Sequence, residues 1–394
     1  MLRILFVDDE PLLLRSLRRV LLPLAGRWEV AYAGSGAEGL QLLAGQPFDV
    51  VVSDMHMPGM DGATFLGKVR DLYPHTVRLV LSGLSDEGAI MRVMRVAHQF
   101  IGKPFDSANL PSVIERAASF QKQVTDEGQR AMIAGLDQIP SPSRSYWEIT
   151  AALSDPSAGL DRIARLVESD PGVSVKLLQL VNSAYFGLSQ QVTSVARGLT
   201  LLGAETLRSL VFAAHVTRAL EQVTWATPEI HAAFERVQAR ARVAAGLARR
   251  IRGAGPHAQA AFMGGLFHDL GKLVAAAGRP AQFEELLRGP QGPVVLERER
   301  ALFGFSHPEA GAYLLGLWGI PDPIVEAVAR HHAPAEVEPD RLGTVGAVHV
   351  AAALTDELAG GTAETALDLP WLGRLGLEGQ LPEWRSWASK EGES

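Results

Sequence analysis

Over residues 1–122, short apolar runs alternate with longer stretches of helical spacing. The runs are Ile4-Leu5-Phe6-Val7, Trp28 to Ala33, Val50-Val51-Val52, Val77 to Leu81 and Phe100-Ile101. Between the first two, Leu13, Leu17, Val20, Leu21 and Leu24 mark one helical stripe. Ala37 to Leu43, Thr64 to Leu72, Glu87 to Val96 and Asn109 to Phe120 have the same periodicity. A continuous β-branched run bounded by turn residues predicts a strand buried on both faces. Strand and helix alternating through short connections predict a doubly wound α/β domain with five parallel strands. Ligands of such sheets bind at the carboxyl ends of the strands.

From Tyr146 onward almost every segment has helix spacing, which predicts an all-α domain. Helices are expected before Asp170-Pro171, where aspartate caps and proline opens the next helix, and over Val195 to Leu202, Ala204 to Ala214 and Phe234 to Ile251. Others follow over Ala258 to Leu273, Ala281 to Leu287, Pro308 to Leu317, Pro323 to Arg330 and Thr344 to Leu358. The expected division is a first domain over 1–122, a connector over 123–145, a helical domain over 146–360 and a helical appendage and tail over 361–394. The connector is marked by Ile139-Pro140-Ser141-Pro142-Ser143, since each proline lacks an N–H and restricts the residue before it. Helical spacing before it can run to about Ala134, as a lever, a homodimerisation helix or a passive linker. In the tail, Trp371 and Trp384 are the expected packing residues.

Composition narrows the class. The 394 residues are 47% hydrophobic with a formal net charge of −7, enough for sizeable cores and opposed to a chain that coats nucleic acid. Cysteine is absent, so disulfides and thiolate metal sites are excluded. No run of about 18 apolar residues and no leader pattern are present, and the expected location is cytoplasmic, away from membranes.

The strand ends carry chemistry. Asp8 and Asp9 close the first strand, Asp54 the third, Ser82 the fourth and Lys103-Pro104 the fifth. Three carboxylates at one edge call for a hard cation such as Mg²⁺. A lysine and a hydroxyl opposite would receive the oxygens of a phosphoryl group attached to Asp54. With Met57-Pro58-Gly59-Met60-Asp61-Gly62 after Asp54, and Ser82-Gly83, these pieces resemble the flavodoxin-like receiver domain of two-component response regulators. The resemblance implies that Asp54 is the phosphoacceptor, phosphorylated by a sensor histidine kinase. It implies Mg²⁺ held by Asp9, Asp54 and the His56 backbone carbonyl, with Asp8 acting through water. It also implies Ser82 and Lys103 as phosphoryl ligands and Phe100 as the aromatic that switches with Ser82. The His56 side chain is expected to face solvent.

In the helical domain, Phe267-His268-Asp269-Leu270-Gly271-Lys272, Ser306-His307-Pro308-Glu309, His331-His332 and His349 punctuate the apolar pattern. Histidine beside aspartate, with further histidines, suits a divalent metal that activates water against a phosphate. With Asp170-Pro171-Gly172-Val173, Leu180-Val181-Asn182-Ser183-Ala184-Tyr185-Phe186 and Ser194-Val195-Ala196-Arg197-Gly198-Leu199, the pattern resembles HDOD domains, HD-related output domains regarded as largely non-catalytic. Two departures from HD hydrolases agree with that. Arg236 or Gln238 stands where an upstream histidine is usual, and Ala352 where an aspartate is usual, with Asp356 one turn away. Arginine does not deprotonate to bind metal. His268, Asp269, His307, His331 and His332 are therefore expected to persist as hydrogen-bonded structure or a binding pocket rather than a metal centre. The expected output is binding of a downstream protein or nucleotide. The rival reading is a cyclic-di-GMP phosphodiesterase. A DNA-binding regulator is disfavoured, because no helix-turn-helix is evident. Arg236, Arg240, Arg242, Arg249, Arg250 and Arg252 make one helix basic, as a solvated face or a site for an acidic partner.

Overall fold

The computed structural model describes residues 1–82, 96–103, 110–121, 148–149, 152–153, 155, 158–182, 191–201, 227–253, 256–289, 292, 294–358 and 366–392. The expected connector, the helix expected over Glu87 to Val96 up to its last residue and the one over Ala204 to Ala214 lie outside these residues, as do Pro104 and Ser183 to Phe186. The chain divides into two compact units. One comprises Met1–Gln138, Gln179–Gln191 and Gly316–Gly319; the other Ile139–Leu178, Val192–Leu315 and Ile320–Ser394.

The first unit holds a parallel sheet with strand order β2-β1-β3-β4-β5: β1 Leu2–Val7, β2 Trp28–Ala33, β3 Val50–Asp54, β4 Val77–Ser82 and β5 Gln99–Gly102. Helices α1 Pro11–Leu21, α2 Gly36–Gly45, α3 Gly62–Leu72 and α4 Leu110–Gln121 accompany it. Every residue of β3 is buried, as an apolar run in a sheet covered on both faces requires. Val7 pairs with Ser53 across β1 and β3, Asp54 with Leu81 across β3 and β4, and Ser82 with Gly102 across β4 and β5. This register gathers the carboxyl ends of these strands at one edge. Asp61 caps α3, its Oδ1 accepting the Thr64 N–H at 2.8 Å. A Cβ on Gly62 would stand 2.1 Å from the Asp54 carbonyl oxygen. Only glycine lets α3 start so close to the end of β3.

The elements after Ala158 are helical: α5 Leu160–Glu168, α6 Pro171–Val181, α7 Pro228–Arg252, α8 Pro256–Phe267, α9 Leu270–Gly278, α10 Pro280–Arg288, α11 Val295–Phe303, α12 His307–Leu317, α13 Asp322–Arg330, α14 Thr344–Leu358, α15 Leu369–Arg374 and α16 Leu381–Gly392. Asp170 caps α6 through the Val173 N–H at 3.1 Å, as expected from Asp-Pro. The single helix expected over Ala258 to Leu273 is two helices, broken at His268-Asp269. There Asp269 leaves helical geometry, with ψ 10°, and His268 Nδ1 lies 2.6 Å from the Gly265 carbonyl oxygen, capping the end of α8. The core packs Ala244, Leu247 and Ala248 of α7 with Ala261, Ala327, Val348, Ala351, Trp371 and Trp384. Many of these are alanine, which lets the helices approach closely. Trp371 is fully buried and donates Nε1–H to the Glu338 carbonyl at 2.8 Å.

Candidate functional sites

At the carboxyl edge of the sheet, Asp8 and Asp54 are buried while Asp9 is exposed. Lys103, just after β5, reaches back with its ammonium to Asp8 Oδ2 at 2.8 Å and to Asp54 Oδ1. The Asp8 Oδ1 accepts the Glu10 N–H at 2.8 Å, and the Asp54 Oδ2 accepts the His56 N–H at 3.0 Å. Burial works against the Lys103 charge, but the hydrogen bonds it donates to Asp54 and Asp8 outweigh it and hold the amine above its ordinary pKa. The edge thus offers two buried carboxylates, one exposed one and a lysine that can transfer to other oxygens. Its donors are all oxygen, a set suited to Mg²⁺. The His56 side chain is exposed. Ser82 ends β4 and Phe100 pairs with Val80 within the sheet; their side chains lie outside the described atoms.

The second unit brings His268, Asp269, His307, His331 and His332 together. A Cβ on Gly271 would stand 2.0 Å from the His307 carbonyl oxygen, so glycine permits α9 and the start of α12 to touch. Asp269 is buried, with Lys272 Nζ at 2.9 Å, His307 Nε2 at 3.4 Å and His268 Nε2 at 3.6 Å. Burial alone would raise the Asp269 pKa; Lys272 first and the histidines next outweigh it and hold the carboxyl well below its usual range. His307 Nδ1 lies 2.8 Å from Glu299 Oε2, and the His307 N–H donates to the same oxygen at 2.8 Å. His331 Nδ1 faces the Val328 carbonyl at 2.8 Å. Burial first, then neighbouring histidines, push His331 and His332 far down from the ordinary histidine range. Both rings are neutral near pH 7.

Other residues are committed elsewhere. His349 Nδ1 lies 2.7 Å from the His331 carbonyl and its Nε2 accepts the Asp368 N–H at 3.0 Å, so the ring is a structural bridge. Arg240 stands 3.6 Å from Asp356, the carboxylate one turn beyond Ala352. Arg236 is exposed and the Gln238 side chain lies outside the described atoms. Glu299, only 2% exposed, is a member of this site that sequence reading missed, along with its helix α11. The signal was present: Val295, Glu299 and Phe303 follow one another at i+4 and all are buried, so a carboxylate occupies the apolar stripe.

The family model of the response regulator receiver domain matches residues 4–115, and that of the HDOD domain matches residues 139–334. Among curated relatives, the hydrogenase transcriptional regulatory protein HoxA of Bradyrhizobium diazoefficiens is 33% identical over 181 residues, 44% of this chain and 35% of its own. The response regulator protein FleR of Pseudomonas aeruginosa is 32% identical over 153 residues, 39% of this chain and 31% of its own. A protein of Treponema pallidum without an assigned function is 28% identical over 238 residues, 58% of this chain and 44% of its own. The chain spans less than half the length of each of these relatives. The crystal structure of the MmoQ response regulator from Methylococcus capsulatus shares the fold at a TM-score of 0.52 and 22% identity, over 64% of this chain and 98% of that one. The chain thus belongs to the response regulators, with an N-terminal receiver domain and a C-terminal HDOD domain.

Proposed function

We propose that Asp54 accepts a phosphoryl group from a sensor histidine kinase, and that this controls the HDOD domain as a largely non-catalytic output that binds a downstream protein or nucleotide in the cytoplasm. The observation that carries the reading is the Lys103 ammonium bridging Asp8 and Asp54 at the carboxyl edge of the sheet. The His56 N–H fixes the Asp54 carboxylate through Oδ2. In the transfer, a bond forms from an Asp54 oxygen to phosphorus as the bond from phosphorus to the donor's imidazole nitrogen breaks. Lys103 then moves its charge from the carboxylates onto the phosphoryl oxygens, joined by the Ser82 hydroxyl, and Phe100 follows Ser82. Asp9, Asp54 and the His56 carbonyl, with Asp8 through water, would hold Mg²⁺. That ion, when bound, neutralises charge on the transferring oxygens.

Several observations weigh against the phosphodiesterase reading. Lys272 neutralises Asp269, Arg240 stands beside Asp356, and Arg236 is exposed. The 394-residue chain with Mg²⁺ and acetyl phosphate is expected to incorporate one hydroxylamine-sensitive phosphoryl group, and Asp54→Asn none. Undiminished labelling of Asp54→Asn would refute the assignment.

A further inference from the structure

Electron pairs converge between α12 and the end of α13. His307 gives its Nδ1–H to Glu299, so its Nε2 carries a lone pair. His331 gives its Nδ1–H to the Val328 carbonyl, and its Nε2 is fully buried without a hydrogen-bond partner. His332 points its Nε2 at His307 Nε2 from 3.2 Å. One ligand nitrogen from each ring lies within 4.8 Å of the others. A buried imidazole nitrogen without a partner is rare and calls for an explanation such as an ion. Two nitrogens at about 2.0–2.1 Å from one tetrahedral ion stand about 3.3 Å apart, close to the His307–His332 separation. Two of the three rings already have the outer partner that orients metal-binding histidines, a carboxylate for His307 and a carbonyl for His331.

We infer that His307, His331 and His332 form a three-histidine site for a divalent first-row transition ion, with the half-buried His332 side leaving a fourth position open to solvent or ligand. The donor set is all imidazole, which suits Zn²⁺, Fe²⁺, Ni²⁺ or Cu²⁺ over Mg²⁺. The site does not need the histidine and aspartate positions replaced by Arg236 or Gln238 and Ala352, and it leaves Asp269 with Lys272. It also does not depend on whether Asp54 is phosphorylated.

The test uses the full chain, stripped with EDTA and kept in excess Mg²⁺ to fill hard-oxygen sites. Calorimetric titration with Zn²⁺ should show one saturable equivalent. Titration with Co²⁺ should give the intense visible bands of a four- or five-coordinate ion in place of the faint colour of the hydrated one. His332→Ala should lose both signals while keeping the far-UV circular dichroism of the parent. If that variant unfolds, His332→Gln takes its place with the same expected loss. Glu299→Gln should weaken Zn²⁺ binding by about 10–100-fold. Absence of a saturable equivalent in the parent, or an unchanged Co²⁺ spectrum in the folded His332 variant, would overturn the site.

Discussion

The receiver and HDOD domains each bury an acidic group beside a lysine, and they use the lysine differently. In the receiver domain Lys103 bridges two carboxylates at an open edge and is itself 26% exposed along its side chain. Its position is one a phosphoryl group can claim. In the HDOD domain Lys272 is 8% exposed and lies against Asp269 deep among helices. There the lysine fixes the aspartate in place, and one nearby histidine, His331, is left with a buried nitrogen that has no hydrogen-bond partner. A pair at a sheet edge is a device for exchange, whereas a pair inside a helical core is a device for structure. The ligand chemistry of the second domain then moves one helix over, to the histidines.

The two domains also differ in what encloses them. The HDOD match ends at residue 334, yet α14 beyond it is buried from Thr344 to Thr355, and Trp371 and Trp384 complete the same core. Trp371→Ala should therefore destabilise the helical domain by about 3–5 kcal/mol, the range for deleting a fully buried large aromatic. A urea titration followed by circular dichroism measures it. A change below about 1 kcal/mol would mean that the appendage covers the core without supporting it.

Much of this arrangement was legible in the sequence, for physical reasons. Strand ends could be read because a β-branched run stops where a Pro-Gly turn begins, which places Asp54 at the edge. The Asp170 cap could be read because Asp-Pro is a local signal. The break at His268-Asp269 could not, because it depends on a histidine ring competing for a helix carbonyl. Glu299 escaped because charge outweighs periodicity when a helix is judged by its polar residues. The meeting of Asp269 and His307 was expected from the resemblance alone, not from the spacing. It depends on Gly271 letting two helices touch, and close approach leaves no periodic trace.

A smaller effect separates the domains by pH. His331, His332 and His349 are held neutral by burial, and the folded pKa of each lies below its unfolded value. The unfolded chain then binds more protons, so the stability of the helical domain should fall as pH drops below about 6.5, by up to ~1.4 kcal/mol per pH unit and per group. Lys103 has the opposite sense. Its folded pKa is raised, so its contribution is complete below the unfolded value and is lost only as pH rises through the folded one. Thermal melts in EDTA from pH 7.5 down to 5 should show the helical transition moving down. Equal acid sensitivity in the parent chain and in a His349→Gln variant would remove His349 from the account.

The smallest expected effect concerns what ties the C-terminal helix to α14. Arg385 of α16 makes a two-pronged contact with Glu357, Nε to Oε2 at 2.9 Å and Nη2 to Oε1 at 3.2 Å. Both side chains are substantially exposed, 50% and 38%. Exposed pairs gain little because water already solvates each charge and ordering two long side chains costs entropy. Paired geometry puts this one at the upper end of the usual range, so Arg385→Ala should cost no more than about 1 kcal/mol, and 0.5 M salt should erase part of the difference. Some of any loss would belong to the aliphatic stem and would survive the salt. If Arg385→Ala approached the cost of Trp371→Ala, the appendage would be held by charge rather than by its tryptophans, and the same salt titration would have to unfasten it in the parent chain.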